Sequence, residues 1–191
     1  MKVAGILLAA GGSTRLGSPK QLLVYEGRTL LRRAAEAMLE AGCRPVVVVL
    51  GASAGKLTPE LAGLDVNTVV NVDWERGMGA SLRVGMTALS PGPEIDAVLV
   101  TLCDQPLIKA ETLRRITNAQ HGTQSIAAAE YNGTIGVPAV FGRKHFAELA
   151  ELPGNTGAKP LLQRHASHVA AVPMSEAATD IDTREQYERL T

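Results

Sequence analysis

Four short, β-rich apolar runs set the frame of this chain: Val3 to Ala9, Pro45 to Leu50, Val66 to Val70 and Ala97 to Leu102. They read as continuous instead of alternating, the pattern of parallel strands covered on both faces. Helical patterns separate them, as crossover connections require. In Thr29 to Gly42, Leu31, Ala34, Ala35, Met38 and Leu39 share one helical face, Thr29 can cap the start and Gly42 can close the end. Further helices are expected at Ala54 to Ala62, Ala80 to Leu89, Ala110 to His121, Arg143 to Leu152, Ala158 to Arg164 and Arg184 to Leu190, the last capped by Thr183. Ser125 to Tyr131 and Val137 to Phe141 read as strands joined by Asn132-Gly133, a hairpin turn signal that breaks the parallel pattern. There is no repeat and no linker. The expectation is one domain over residues 1–191, and 46% hydrophobic content suffices for its core.

Lys plus Arg and Asp plus Glu both total 19. A neutral chain has no bulk attraction to nucleic acid or to an anionic membrane, so any anion must be held by a local site. Cys43 and Cys103 lack metal-ligand companions and read as buried small hydrophobes in a reducing, cytoplasmic setting. Met1 to Ala10 looks like a signal core, but Gly11-Gly12-Ser13-Thr14-Arg15 follows at once and a buried first strand explains it better.

In open α/β sheets, ligands bind beyond the carboxyl ends of the strands. Three segments there carry chemistry. After the first strand, Gly11 and Gly12 admit a ligand close to the backbone, while Arg15 and Lys20 supply a forked and a point cation. That combination suits a triphosphate. It is neither a P-loop nor a dinucleotide fingerprint, and the competing reading is a plain strand-to-helix turn with solvated charges. After the fourth strand, Asp104 suits magnesium, the alternative being a capped turn. Before the last helix, Asp180 and Asp182 alternate onto one side of an extended segment. One is expected to be a second metal ligand and the other a cap, and spacing does not choose between them. Gly77 to Leu82 opens a helix whose amides can meet an anion or a base edge, and Gly154 to Pro160 opens another, with Lys159 toward an acceptor phosphate. His165 and His168 have no glutamate or third ligand in the local sequence, so they read as solvated or core histidines. Trp74 and the sparse aromatics give no stacking platform for single-stranded nucleic acid.

The segment Leu8 to Leu23 resembles the signature loop of the nucleotidyltransferases that include molybdenum cofactor cytidylyltransferase. Gly77 to Leu82, Asp104-Gln105-Pro106, Gly154 to Leu162 and Asp180 to Thr183 match later motifs in order. The resemblance covers essentially the whole chain. It implies a Rossmann-like three-layer α/β/α sandwich of the nucleotide-diphospho-sugar transferase type, mostly parallel with an antiparallel insertion. It implies a magnesium-dependent transfer of CMP from CTP to the terminal phosphate of molybdenum-bound molybdopterin, with pyrophosphate released and molybdopterin cytosine dinucleotide formed. The implied nucleotide contacts are Leu8, Ala9, Ala10, Gly11, Gly12, Ser13, Lys20, Gly77 and Ser81. Arg15, Lys20 and Asp104 would be catalytic, Gly157 and Lys159 would meet the acceptor, and Asp104 with Asp180 or Asp182 would hold Mg2+. A molybdoenzyme or its maturation factor would be the partner.

Related guanylyltransferases usually show Leu-Ala-Gly-Gly and an Asp before the Lys; Ala10 and Pro19 stand there in this chain and favour cytidine. Two departures concern the acceptor: Gly136-Val137-Pro138 replaces a frequent Gly-His-Pro, and Asn155 replaces a frequent acidic residue. A guanylyltransferase, a sugar-phosphate nucleotidyltransferase and a non-enzymatic carrier of a pterin dinucleotide are the competing readings.

Overall fold

The computed structural model describes residues 1–90, 92–122 and 125–190. Its strands are β1 (Val3–Ala9), β2 (Val24–Tyr25), β3 (Arg28–Thr29), β4 (Val46–Leu50), β5 (Asn67–Val70), β6 (Ala97–Leu102), β7 (Ile126–Tyr131), β8 (Thr134–Gly142) and β9 (Val169–Pro173). The helices are α1 (Leu30–Glu40), α2 (Ala54–Leu57), α3 (Met78–Leu89), α4 (Ala110–Ala119), α5 (Phe146–Ala150), α6 (Lys159–Arg164) and α7 (Arg184–Glu188).

Seven strands form one sheet in the order β5-β4-β1-β6-β8-β7-β9. Every neighbouring pair is parallel except those of β8, which runs against both β6 and β7. The chain leaves β1 toward β4 and later returns to pair β6 on its other side. That reversal opens a crevice at the carboxyl ends of β1 and β6. Alternate residues of the central strands feed opposite faces. Ile6, Val47, Val49 and Val98 pack with Leu82 and Met86 of α3, whereas Leu7, Val48 and Leu99 pack with Leu31 and Met38 of α1 and Leu113 of α4. The result is the expected mostly parallel α/β sandwich. Among the described residues no helix is long and apolar enough to cross a membrane.

The local signals work where they rest on backbone chemistry. Thr29 Oγ1 accepts the Arg32 amide, Thr183 and Gln186 form a reciprocal capping box, and Asn132 and Gly133 both take positive φ in the β7–β8 turn. Four expectations need correction. The third apolar run is an edge strand, with Val70 half exposed, because Asn67 and Thr68 interrupt it and β5 ends the sheet among the described residues. The segment 54–62 breaks into α2 and a 3-10 turn, Thr58–Leu61, where Pro59 supplies no amide. The segment 143–152 divides into a 3-10 turn, Arg143–His145, and the short α5. Helix α4 ends at Ala119, because Gln120 turns to extended backbone. The half-exposed strand β9 and the two-residue hairpin β2–β3, closed by Glu26 and Gly27 at positive φ, carry no strong sequence pattern.

Candidate functional site: a cationic loop and two carboxylates at the β1–β6 crevice

The loop after β1 is organised by a side chain. Buried Gln21 donates from Nε2 to the carbonyls of Ala9 and Gly11, both at 2.9 Å. Ser13, at φ 51°, accepts the Lys20 amide on Oγ at 2.9 Å. The loop is thereby folded back on itself, and Lys20 starts a 3-10 turn, Lys20–Leu22, aimed at the end of β6.

There Lys20 Nζ lies 2.5 Å from Asp104 Oδ2 and 2.7 Å from Asp182 Oδ1. A backbone hydrogen bond explains the second carboxylate: the Ile181 amide donates to the Asp104 carbonyl at 3.0 Å, and Ile181 is fully buried, which seats Asp182 beside the β6 turn. Arg15 stands at the rim, 73% exposed, with Nη1 3.5 Å from Asp182 Oδ2. Burial works against the Lys20 charge, but Asp104 and Asp182 outweigh it and hold the ammonium above the usual lysine range. Burial pushes the Asp104 carboxyl up, opposed by Lys20. The hydrogen bond from Lys20 holds Asp182 down against a smaller burial effect.

A cavity of about 310 Å³ adjoins this cluster. Leu8, Ala9, Ala10, Gly11, Lys20, Gly77, Ser81 and Asp104 of the predicted set line it, together with Gln21, Trp74, Glu75, Met78, Leu102 and Cys103. The first loop and the β6 acid are therefore at one place. Gly12 lies behind the wall, where an added Cβ would come within 2.8 Å of the Trp74 ring. Ser13 and Arg15 serve the loop and its rim.

Other predicted residues fall elsewhere. Asp182 meets Lys20, whereas Asp180 is exposed and lines a separate cavity with Leu107, Gln186 and Arg189. The two meet different surroundings: residues 179–182 take no regular strand, and the buried Ile181 stands between them. Lys159 is exposed at the start of α6, and neither it nor Gly157 lines the cavity. Gly157 instead packs on Met78, where a Cβ would approach Sδ to 2.8 Å. The α3 opening is partly occupied as well, since the Ala80 amide donates to the Gly154 carbonyl at 3.3 Å.

Four contributors have no role at this site in the sequence pattern alone. Gln21 acts as the loop's brace. Asn71 donates from Nδ2 to Ser81 Oγ at 3.0 Å and accepts the Asp73 amide on Oδ1, which fixes the cavity-facing hydroxyl. Trp74 forms a wall. Gln105 donates from Nε2 to the carbonyls of Val137 and Ala177, tying β8 and the 175–182 segment to the site. All four are polar or amphipathic residues whose value lies in long-range contacts. The expectation for His165 also changes: His145 Nδ1 and His165 Nε2 lie 3.0 and 3.1 Å from Glu148, so a glutamate and a second imidazole do accompany it. Both cysteines are free and buried, and burial pushes both thiols up.

Asp104 Oδ1 is buried and has no hydrogen-bond partner. A buried carboxylate oxygen left open beside a second carboxylate fits the oxygen-ligand chemistry of a divalent cation.

A mostly parallel α/β sheet with its cationic loop and paired acids at the topological switch defines a nucleotidyltransferase. The chain belongs to the MobA-like NTP transferase domain family, whose profile matches residues 5–169. It is 38% identical to nicotine blue oxidoreductase of Paenarthrobacter nicotinovorans over 98% of this chain and 96% of that protein. Rv0371c of Mycobacterium tuberculosis H37Rv superposes with a TM-score of 0.84 at 32% identity, covering 100% of this chain and 97% of the other, and has also been solved in complex with manganese. A nucleotidyl transferase of Methanothermobacter thermautotroptrophicus, Mth528, matches at a TM-score of 0.83 and 26% identity over 99% and 95% of the two chains.

Proposed function

We propose that this nucleotidyltransferase uses CTP as donor and the terminal phosphate of a molybdopterin-type cofactor as acceptor, in the cytoplasm, and releases pyrophosphate. The carrying observation is the junction of Lys20 with Asp104 and Asp182 at the mouth of the glycine-lined cavity. A triphosphate needs cations and exposed backbone on one side and a metal-holding acid on the other, and both meet there.

Asp104 and Asp182 would hold magnesium, which supplies charge neutralisation to the phosphates when bound. The chain's own residues do the rest. Gly11 lets phosphate oxygens approach the loop backbone. Arg15 and Lys20 would offset the charge that builds on the leaving pyrophosphate. Ser81, fixed by Asn71, and the Trp74 wall would bound the base. The acceptor phosphate is already ionised and needs little help from a base to attack the α-phosphorus, so positioning carries most of the catalysis. Ala10 and Pro19 support cytidine over guanosine. The test is pyrophosphate release with CTP, GTP and UTP, each with and without molybdopterin. Release with CTP that depends on molybdopterin is expected; release with UTP and a sugar phosphate instead would overturn the acceptor and donor together.

A second reading rests on the whole-length identity to a protein named as an oxidoreductase. It predicts redox turnover of nicotine blue with no triphosphate present, and the same preparations test it.

A further inference from the structure

A second cluster of ligating side chains lies away from the cavity. β8 ends at Gly142, which pairs with Ala97 at the start of β6, so the turn Arg143–His145 sits at the end of the sheet opposite Asp104. From it, buried His145 presents Nδ1 to Glu148 Oε1 at 3.0 Å. His165, which follows α6, presents Nε2 to both oxygens of the same carboxylate at 3.1 Å. The imidazoles are edge-to-face with centroids 4.7 Å apart, and the three ligand atoms all lie within 4.8 Å of one another.

We propose that His145, Glu148 and His165 form a structural site for a first-row divalent cation, zinc by preference, distinct from the nucleotide site. Two imidazoles and one carboxylate are a donor set that zinc accepts, with water in the fourth position. At bonds of about 2.0–2.1 Å, tetrahedral ligand atoms stand about 3.3 Å apart, so both histidine–glutamate separations need only a small outward shift, while the two imidazole nitrogens, within 4.8 Å of each other, close by up to about 1.5 Å. Glu148 accepts from both imidazoles and from Arg164, and a cation would take the place of the two imidazole protons. Arg164, 67% exposed, competes at 3.1 Å from Oε2, and it has solvent to retreat into.

The site would staple α5 to the end of α6 across the 151–158 loop. That loop is the backing of the α3 start, where Gly77 and Gly79 touch Gly154, Pro153 and Thr156. The cation therefore fixes a wall behind the nucleotide cavity and takes no part in transfer.

The experiment titrates zinc into the chelator-stripped full chain by calorimetry. With magnesium in excess to fill the Asp104–Asp182 site, one zinc ion per chain is expected, bound at least tenfold more weakly by Glu148→Gln and by His165→Asn, and unchanged in Asp104→Asn. Cobalt loading of the unaltered chain should give the intense visible bands of a four-coordinate ion, which needs no variant to fold. Far-UV circular dichroism of Glu148→Gln checks that its fold is intact. Absence of stoichiometric zinc and of the cobalt bands would reduce the cluster to a hydrogen-bonded ion pair and overturn the proposal. So would zinc binding lost with Asp104→Asn and kept with His165→Asn.

Discussion

At Gly11 an added Cβ would meet nothing within 4 Å, whereas at Gly79 it would lie 2.0 Å from the Pro153 carbonyl oxygen and 2.3 Å from that of Thr156. The loop after β1 and the pair of segments at 77–79 and 153–157 are both glycine-rich, and both flank the cavity. In the first, glycine leaves space that a ligand can use. In the second, glycine removes space so that two backbones can touch. Charge divides them in the same way: Lys20 and Arg15 point from the first loop to Asp182, while the second region offers no cation to the cavity. Glycine content alone therefore does not mark a phosphate cradle; glycine together with converging cations and an acid does.

The largest effect should come from the charged side of that contrast. Lys20→Ala or Asp104→Ala is expected to lower turnover on the order of hundredfold or more, comparable with loss of one preorganised charge contact; Lys20→Ala, which leaves the buried Asp104 without its cation, should also lower the thermal midpoint. Single-turnover rates at saturating triphosphate check this. Normal turnover in both variants would remove the basis for treating the two regions differently. On the packing side, Gly79→Ala should destabilise the fold by about 2–3 kcal/mol through overpacking against backbone, read from the urea midpoint. Gly11→Ala should leave that midpoint within about 0.5 kcal/mol and raise the KM for triphosphate. If the two glycine variants exchanged phenotypes, the contrast would be inverted.

What the sequence discloses follows the same division. The apolar runs, the Thr29 and Thr183 caps and the Asn132-Gly133 turn are local, and each forms where its residues indicate. The loop from Gly11 to Lys20 and Asp104 are legible because the chemistry at strand ends is local too. Asp182 could not be separated from Asp180, since the choice depends on a backbone bond from Ile181 to Asp104 across the sheet end. Gln21 was silent for the same reason: a buried amide braced on Ala9 and Gly11 looks like any surface glutamine in a linear sequence. In the Glu148 cluster His145 stands at local i,i+3 spacing, but His165 reaches the carboxylate only through the fold, beyond the reach of a local spacing rule.

Gln21 gives the next smaller effect and tests whether the first loop is shaped by its glycines or by its brace. Gln21→Ala leaves the Ala9 and Gly11 carbonyls without their buried donor. Such a loss costs about 1–2 kcal/mol, and the loosened loop should raise the triphosphate KM more than it lowers turnover at saturation. A change confined to stability would return the shaping role to Gly11 and Gly12.

The smallest effect concerns how the two acids share Lys20, and its sign separates them. Asp182 is held down in the folded chain by the Lys20 hydrogen bond. Its contribution to stability is complete above the unfolded Asp value, about 3.9, and fades as pH falls through the lower folded value. Asp104 is pushed the other way by burial, so the folded chain holds its proton more tightly and stability gains as pH falls from the raised folded value toward the unfolded one. The two trends oppose each other in the parent. Asp182→Asn should therefore flatten the acid-side loss of stability below about pH 4, near the unfolded Asp value. Asp104→Asn should steepen the fall in stability from neutral pH toward that region, because the compensating gain is gone. Urea midpoints measured across the acid range decide it, and identical curves for the two variants would show that Lys20 does not distinguish its partners.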